Sequence, residues 1–248
     1  MRCPPAQRSS QNLMLTTTNH LLSRLLHTTP EASEHLERVT LSHGLWPMQG
    51  GVQETDHVYF PEAGLMGLLW PSPALPGMGM ELLGCHSGWW PELGRLGSVQ
   101  THVLQAGHAQ RIRWSVLQAQ PQRYAPWLLQ AAAASQQLVH QMARKVHCVQ
   151  NHTVVQRMAS GLLAVRQNNP HSDGQISVAD LAHWLSCPVG ELQDAARALQ
   201  AHGAVQWAEE AGAVTPLHSP QTQMLASLAC ACHEYPAQDQ WGRGLASV

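Results

Sequence analysis

The most constraining feature of this sequence is a stretch in its second half, ISVADLAHWLSCPVGELQDAARALQAHGAVQW (residues 176–207). It reads as helix, tight turn, helix and the start of a strand. Val178, Leu181, Ala182 and Leu185 recur at helical spacing, and so do Leu192, Ala195, Ala196 and Leu199. Ser177 can cap the first helix, with Asp180 three residues on as its acidic partner. Pro188 suits the first turn of the second helix, where a missing N–H costs nothing, and Gly203 suits its stop. Helix, turn, helix and wing in this order make a winged helix-turn-helix, which lays its second helix in the major groove of DNA.

The rest of the 248 residues leaves room for a second domain. Residues 1–18 are polar and aperiodic, and a tail is expected there. Leu21, Leu22, Leu25 and Leu26 open a short helix. Between about 39 and 117, Gly and Pro punctuate short apolar runs such as HVYF and LMGLLW, the texture of a sheet domain. RIRWSV (residues 111–116) alternates, so a half-buried strand is expected with Ile112, Trp114 and Val116 on one face. From about 124 to 166 strong helix formers dominate. Leu138, Met142, Val146 and Val149 make an apolar stripe there, a candidate dimer seam. NNPHSDG (168–174) is a loop, and QTQMLASLACACHEY reads as a final short helix.

In order and spacing these pieces resemble the Crp/Fnr-type transcription regulators across residues 19–235. HVYFPEAGLMGLL (57–69) is similar to the strand-turn-strand opening of that family's sensor, and MELLGCHSGWW (80–90) to the turn that follows. NHTVVQRMASGLL (151–163) resembles the helix that leads into the DNA-binding domain, and LASLACACHEY an ending seen in one subgroup. The resemblance implies an α+β protein: an antiparallel, jelly-roll-type β-roll like a cyclic-nucleotide-binding domain over 19–123, then a long dimerisation helix over 124–150. A winged helix-turn-helix over 151–218 and a C-terminal helix and tail over 219–248 complete it. It also implies a homodimer that places two recognition helices on DNA about one turn apart.

The outward residues depart from the family pattern. Where the resemblance expects a guanine-reading Arg, this chain has Pro188 and Val189, then Gly190. The candidate DNA-contacting set is Ser177, Val189, Gly190, Gln193, Asp194 and Arg197. Gln193 suits adenine, Val189 a thymine methyl, and Asp194 repels phosphate unless it accepts from cytosine. The wing, WAEEAGAV, carries Glu209 and Glu210. Residues 151–248 hold four Arg and no Lys against eight acidic residues, a formal charge of −4. Phosphate neutralisation supplies most non-specific affinity, so weak DNA binding at physiological salt is expected. Arg157, Arg166 and Arg197 are the cations available, enough for about two to four phosphates per subunit.

In the sensor, the resemblance places a phosphate-holding Arg near residues 100 and 101, where Gln100 and Thr101 stand. Cyclic AMP and cyclic GMP are therefore not expected. Trp89 and Trp90, with Gln100 and Thr101, are a candidate pocket for an unknown small-molecule effector, or simply core. An iron–sulfur cluster needs four thiolates, and only Cys3 lies near the N-terminal end. Cys230, Cys232 and His233 could bind a soft metal, but a helix would set the two thiols about 200° apart, so no metal or cofactor is expected. The 16 histidines are spread through a chain poor in Lys and Arg. No nucleophile elbow, P-loop or dinucleotide turn occurs, so no enzyme is expected. No signal-peptide pattern or membrane-length apolar run occurs, and scattered cysteines fit a cytoplasmic protein.

The expected function is thus a homodimeric, DNA-binding transcription regulator that acts without cyclic nucleotide. The alternative is a dimeric sensor or protein-interaction module that kept the fold and lost direct DNA reading. A metal- or haem-responsive module is a third possibility.

Overall fold

One strand decides the layering. In the computed structural model, which describes residues 17–46, 56–70, 78–94, 99–172, 175–208, 211–216 and 221–233, β3 (His57–Trp70) is buried on both faces except at Ala63 and Trp70. A strand with two buried faces needs a layer on each side. Val58, Phe60, Met66 and Leu68 fill the inner core of the sheet domain. Leu65 and Leu69 face outward, yet they are buried in a second cluster made mostly by the winged unit. That is why LMGLLW is a continuous apolar run rather than an alternating one.

Around β3 the sheet is antiparallel, with β1 (Glu37–Leu41), β2 (Gly44–Trp46), β4 (Met78–Leu83) and β5 (Gln100–Arg113). The order is β1-β5-β3-β4, and β2 also pairs with β5. The register bears on one expectation. β5 ends at Arg113, which pairs with His57, and Trp114 opens α3 (Trp114–Ala119). RIRWSV is therefore half strand and half helix. Trp114 is still buried, because its indole packs edge-on against Trp90 at 6.2 Å. Before the sheet, α1 (His20–Thr28) is capped by Asn19 and leads into a 3-10 turn, Pro30–His35. The buried Asn19 amide donates to the carbonyls of Pro61, Gly84 and Ser87, while its Oδ1 accepts from Leu22 N–H. A short turn, α2 (Pro91–Gly94), follows β4.

The long helix α4 (Ala125–Asn151, 27 residues) runs from the sheet domain to the winged unit. It ends at His152, and Thr153 restarts the chain as α5 (Val154–Asn168) with a reciprocal capping box to Gln156. The winged unit continues with β6 (Ile176–Ser177), α6 (Val178–Leu185), α7 (Val189–Ala201), β7 (Val205–Ala208) and β8 (Ala213–Pro216). Its sheet has the order β6-β8-β7. A last helix, α8 (Gln221–Leu228), precedes a 3-10 turn at Ala231–His233. So the fold class expected from the sequence, a mixed α/β chain with an antiparallel sheet domain, a long helix and a winged helix-turn-helix, is what the structure has.

Candidate nucleic-acid interface

The two helices of the candidate interface are set by local chemistry before packing fixes them. The Ser177 hydroxyl accepts from the N–H groups of Ala179 and Asp180, so α6 begins where the sequence puts a cap. The turn to α7 is tight: Ser186 lies in the left-handed region at φ 57°, and Cys187 N–H donates back to Ala182 O. Pro188 then stands at the N-cap of α7. Gly203, at φ +67°, ends that helix. Leu181, Ala182, Leu192, Ala195, Ala196 and Leu199 are all buried between α6, α7 and α5.

The expected contact residues fall on the outside. Val189, Gly190, Asp194 and Arg197 are exposed on α7, Gln193 beside them is half-buried, and Ser177 is half-buried at the start of α6. Beyond them, the side chain of Gln200 accepts from the Trp207 N–H at 2.7 Å, which ties β7 to α7. Glu209 and Glu210 lie outside the described residues.

The cations are less available than the sequence implies. Arg157 is buried, and its Nη1 donates to Leu185 O at 3.1 Å, closing the C-terminal end of α6. Arg166 donates to Thr222 Oγ1 at 2.6 Å. Arg197 forms an ion pair with Asp194 at 2.7 Å, three residues earlier on the same helix. Two of the three expected phosphate contacts thus serve the fold. Helical position alone does not reveal this, because the partners are a backbone carbonyl and a residue of α8, remote in sequence.

The candidate seam on α4 also divides. Leu138 is 3% exposed in the sheet-domain core, with Met142 packed against it, while Val146 and Val149 are exposed. Each i+4 step turns the stripe by about 40°, so by Val146 it has swung well away from Leu138. A different face of α4 is open along its length: Ala132, Gln136, Val139, Ala143 and Val146, at steps of four and three, with Val139 65% exposed.

The candidate effector residues are occupied by packing. Trp89 donates Nε1–H to Thr101 Oγ1 at 3.0 Å and stacks edge-on with Trp46 and Tyr59. Trp90 is fully buried against Phe60, and Gln100 is exposed at the start of β5. The void beside Trp90 is about 30 Å³, room for a water rather than an organic ligand. A far larger cavity, about 880 Å³, opens between α1, β4, α4, α5 and α6. Arg24, Arg144, Lys145 and Arg157 line it together with Glu81. Burial pushes the Lys145 ammonium down to about 8, and its Nζ sits 3.5 Å above the Trp184 ring. Burial likewise pushes the Glu81 carboxyl up to about 8, against the pull of Arg144. No local pattern in the sequence marks this cavity, because its lining comes from segments far apart in the chain, from His20 to Cys232.

No protein-family model matches this sequence, and no curated protein matches it. Solved structures do. CLP from Xanthomonas campestris, described as a c-di-GMP responsive global regulator, matches at a TM-score of 0.56 and 17% identity, over 78% of this chain and 100% of its own. FixK2 from Bradyrhizobium japonicum matches at 0.58 and 12%, over 79% and 98%. A CRP/FNR-family transcriptional regulator from Thermus thermophilus matches at 0.50 and 16%, over 78% and 98%. At these identities the likeness is one of fold: the chain has the fold of the Crp/Fnr-type transcription regulators. Among the described residues no helix is long and apolar enough to cross a membrane.

Proposed function

We propose that this chain is a homodimeric, cytoplasmic transcription regulator, not an enzyme, that reads DNA through α7 with little help from phosphate contacts. The observation that carries the proposal is the outward face of α7. Val189, Gly190, Gln193, Asp194 and Arg197 stand on one side of a helix whose other side is wholly committed to the core. A face with a methyl-contacting Val, an amide and an acid discriminates bases better than it attracts backbone. The domain limits proposed are those of the sequence: sensor 19–123, dimer helix 124–150, winged domain 151–218.

Dimerisation is assigned to the open heptad face of α4 rather than to Leu138 and Met142. Val139→Glu puts charge into that seam and converts dimer to monomer in sedimentation at micromolar concentration, with the fold intact. Met142→Glu lowers stability instead. The effector is assigned to the 880 Å³ cavity as a small organic anion, since four cations line it. Cyclic AMP and cyclic GMP are expected to give no heat in calorimetry, because Gln100 and Thr101 stand where a phosphate-holding Arg would be needed.

The deciding experiment selects genomic DNA fragments with the purified protein at low and at physiological salt. Recovery of one shared sequence, with a shallow salt dependence, supports the proposal. A second reading has its own support in the net charge of −4 over residues 151–248 and the Arg197–Asp194 pair. In it the dimer senses or binds protein and leaves DNA to a more basic partner. Recovery of no sequence at either salt selects that reading.

A further inference from the structure

The final helix stops earlier than its sequence suggests. α8 ends at Leu228, and the chain turns through Cys230 into the 3-10 turn at Ala231–His233. Cys230 and Cys232 are therefore not held on opposite faces of a helix, and the premise against a metal there fails. Their sulfurs converge with that of Cys148, on the last turn of α4, all within 4.8 Å of one another. Cys148 Sγ lies 3.6 Å from Cys230 Sγ. Cys232 Sγ lies 3.4 Å from Nε2 of His152, the residue that ends α4.

We propose that the thiol trio Cys148, Cys230 and Cys232 binds Zn²⁺ or a chemically similar thiophilic cation, with His152, which touches Cys232, turning in as the fourth ligand of a tetrahedron. The geometry decides this. With Zn–S near 2.3 Å and Zn–N near 2.05 Å, the edges of a tetrahedron are about 3.8 Å between two sulfurs and about 3.5 Å between sulfur and nitrogen. The Cys148–Cys230 contact at 3.6 Å and the Cys232–His152 contact at 3.4 Å match two of those edges, and the three sulfurs lie within 4.8 Å of one another. His152 groups with Cys232 and His147 rather than with Cys148 and Cys230, so its ring has to close in on binding. Three Cys and one His are a closed structural set for zinc. Ser160 holds Cys230 in place: its Oγ lies 3.0 Å from the sulfur and accepts from Cys230 N–H at 3.1 Å. On binding, three thiols lose their protons to solvent and three S–Zn bonds and one N–Zn bond form, so affinity rises with pH. The single net negative charge left on the site faces Arg144 and Lys145, whose charges already act on Cys232 and Cys148.

The position gives the site a consequence. Two ligands come from the end of α4, one residue before the capping box of α5, and two from the segment after α8. A bound cation staples the junction of the long helix and the winged unit. Its effect on DNA rests on the proposed function, while metal binding itself does not.

The test titrates the reduced, metal-free full-length protein with Co²⁺ and then Zn²⁺. One Co²⁺ per chain is expected, with thiolate-to-cobalt absorption in the near ultraviolet and the strong visible bands of tetrahedral cobalt, and one Zn²⁺ abolishes both. Cys232→Ser and His152→Gln each weaken binding about tenfold or more, whereas His147→Gln keeps it. Zn²⁺ raises the Tm of the wild type and not of Cys232→Ser. Absence of the charge-transfer band in the wild type overturns the proposal, as does a band unchanged in both ligand variants. Protein isolated without reductant that contains no metal and a Cys148–Cys230 disulfide overturns it too. If metal binds and DNA affinity does not respond, the site stands and its coupling to DNA falls.

Discussion

On the inner side of α6 and α7, every side chain meets a packing demand: Leu181, Leu192 and Leu199 have no exposure, and Ala195 and Ala196 let α5 approach. On the outer side, about ten to twelve ångströms across the same helices, packing within the molecule does not constrain the choice. The inner side keeps a helix-turn-helix frame at every position. The outer side carries Val189, Gly190 and an Asp194–Arg197 pair. Burial fixes a frame because each lost contact costs kilocalories within the chain itself. An outward face is fixed only by what it touches, so it drifts with its partner. Frame and partner are specified by different residues.

The largest effect should come from the inner side. Leu192→Ala leaves a cavity between α7 and α5 and should cost about 2–5 kcal/mol in urea denaturation. In the wing sequence, Glu209→Lys with Glu210→Lys should tighten binding to every DNA sequence and steepen the salt slope by about two phosphates per subunit, with no change in Tm. Unchanged affinity there means the wing does not lie on the backbone. Gln193→Ala should relax preference at one base position by about 1–3 kcal/mol, read from selected sites. The smallest change belongs to Asp194→Asn. It frees Arg197 from its partner and should raise affinity for all sequences alike by a few tenths to about 1 kcal/mol, the worth of an exposed pair.

The frame is legible in the sequence because caps, turns and periodicity are local: Ser177 and Gly203 stand where one-dimensional rules put them, and Pro188 falls one residue short, at the N-cap rather than in the first turn. The outward set on α7 follows from the same periodicity. What a sequence does not display is what depends on distant partners. Trp114 turns from strand to helix where β5 runs out of strand to pair with. Arg157 meets a carbonyl 28 residues away, and Cys148 meets a thiol 82 residues away. Leu138 reads as seam because a stripe on a helix does not say which neighbour covers it.

The outward-facing Leu65, Leu69, Leu82 and Leu104 of the sheet domain are buried by the winged unit, and Gly79 sits so close to α6 that a Cβ there would overlap the Trp184 carbonyl. This makes the winged unit poorly portable. Cut out and expressed alone, it would carry Trp184 and its neighbours bare into solvent and tend to aggregate, and the sheet domain would do the same from its leucines. Moving the winged unit onto another sheet domain would therefore require the sheet's outer leucines and Gly79 to travel with it.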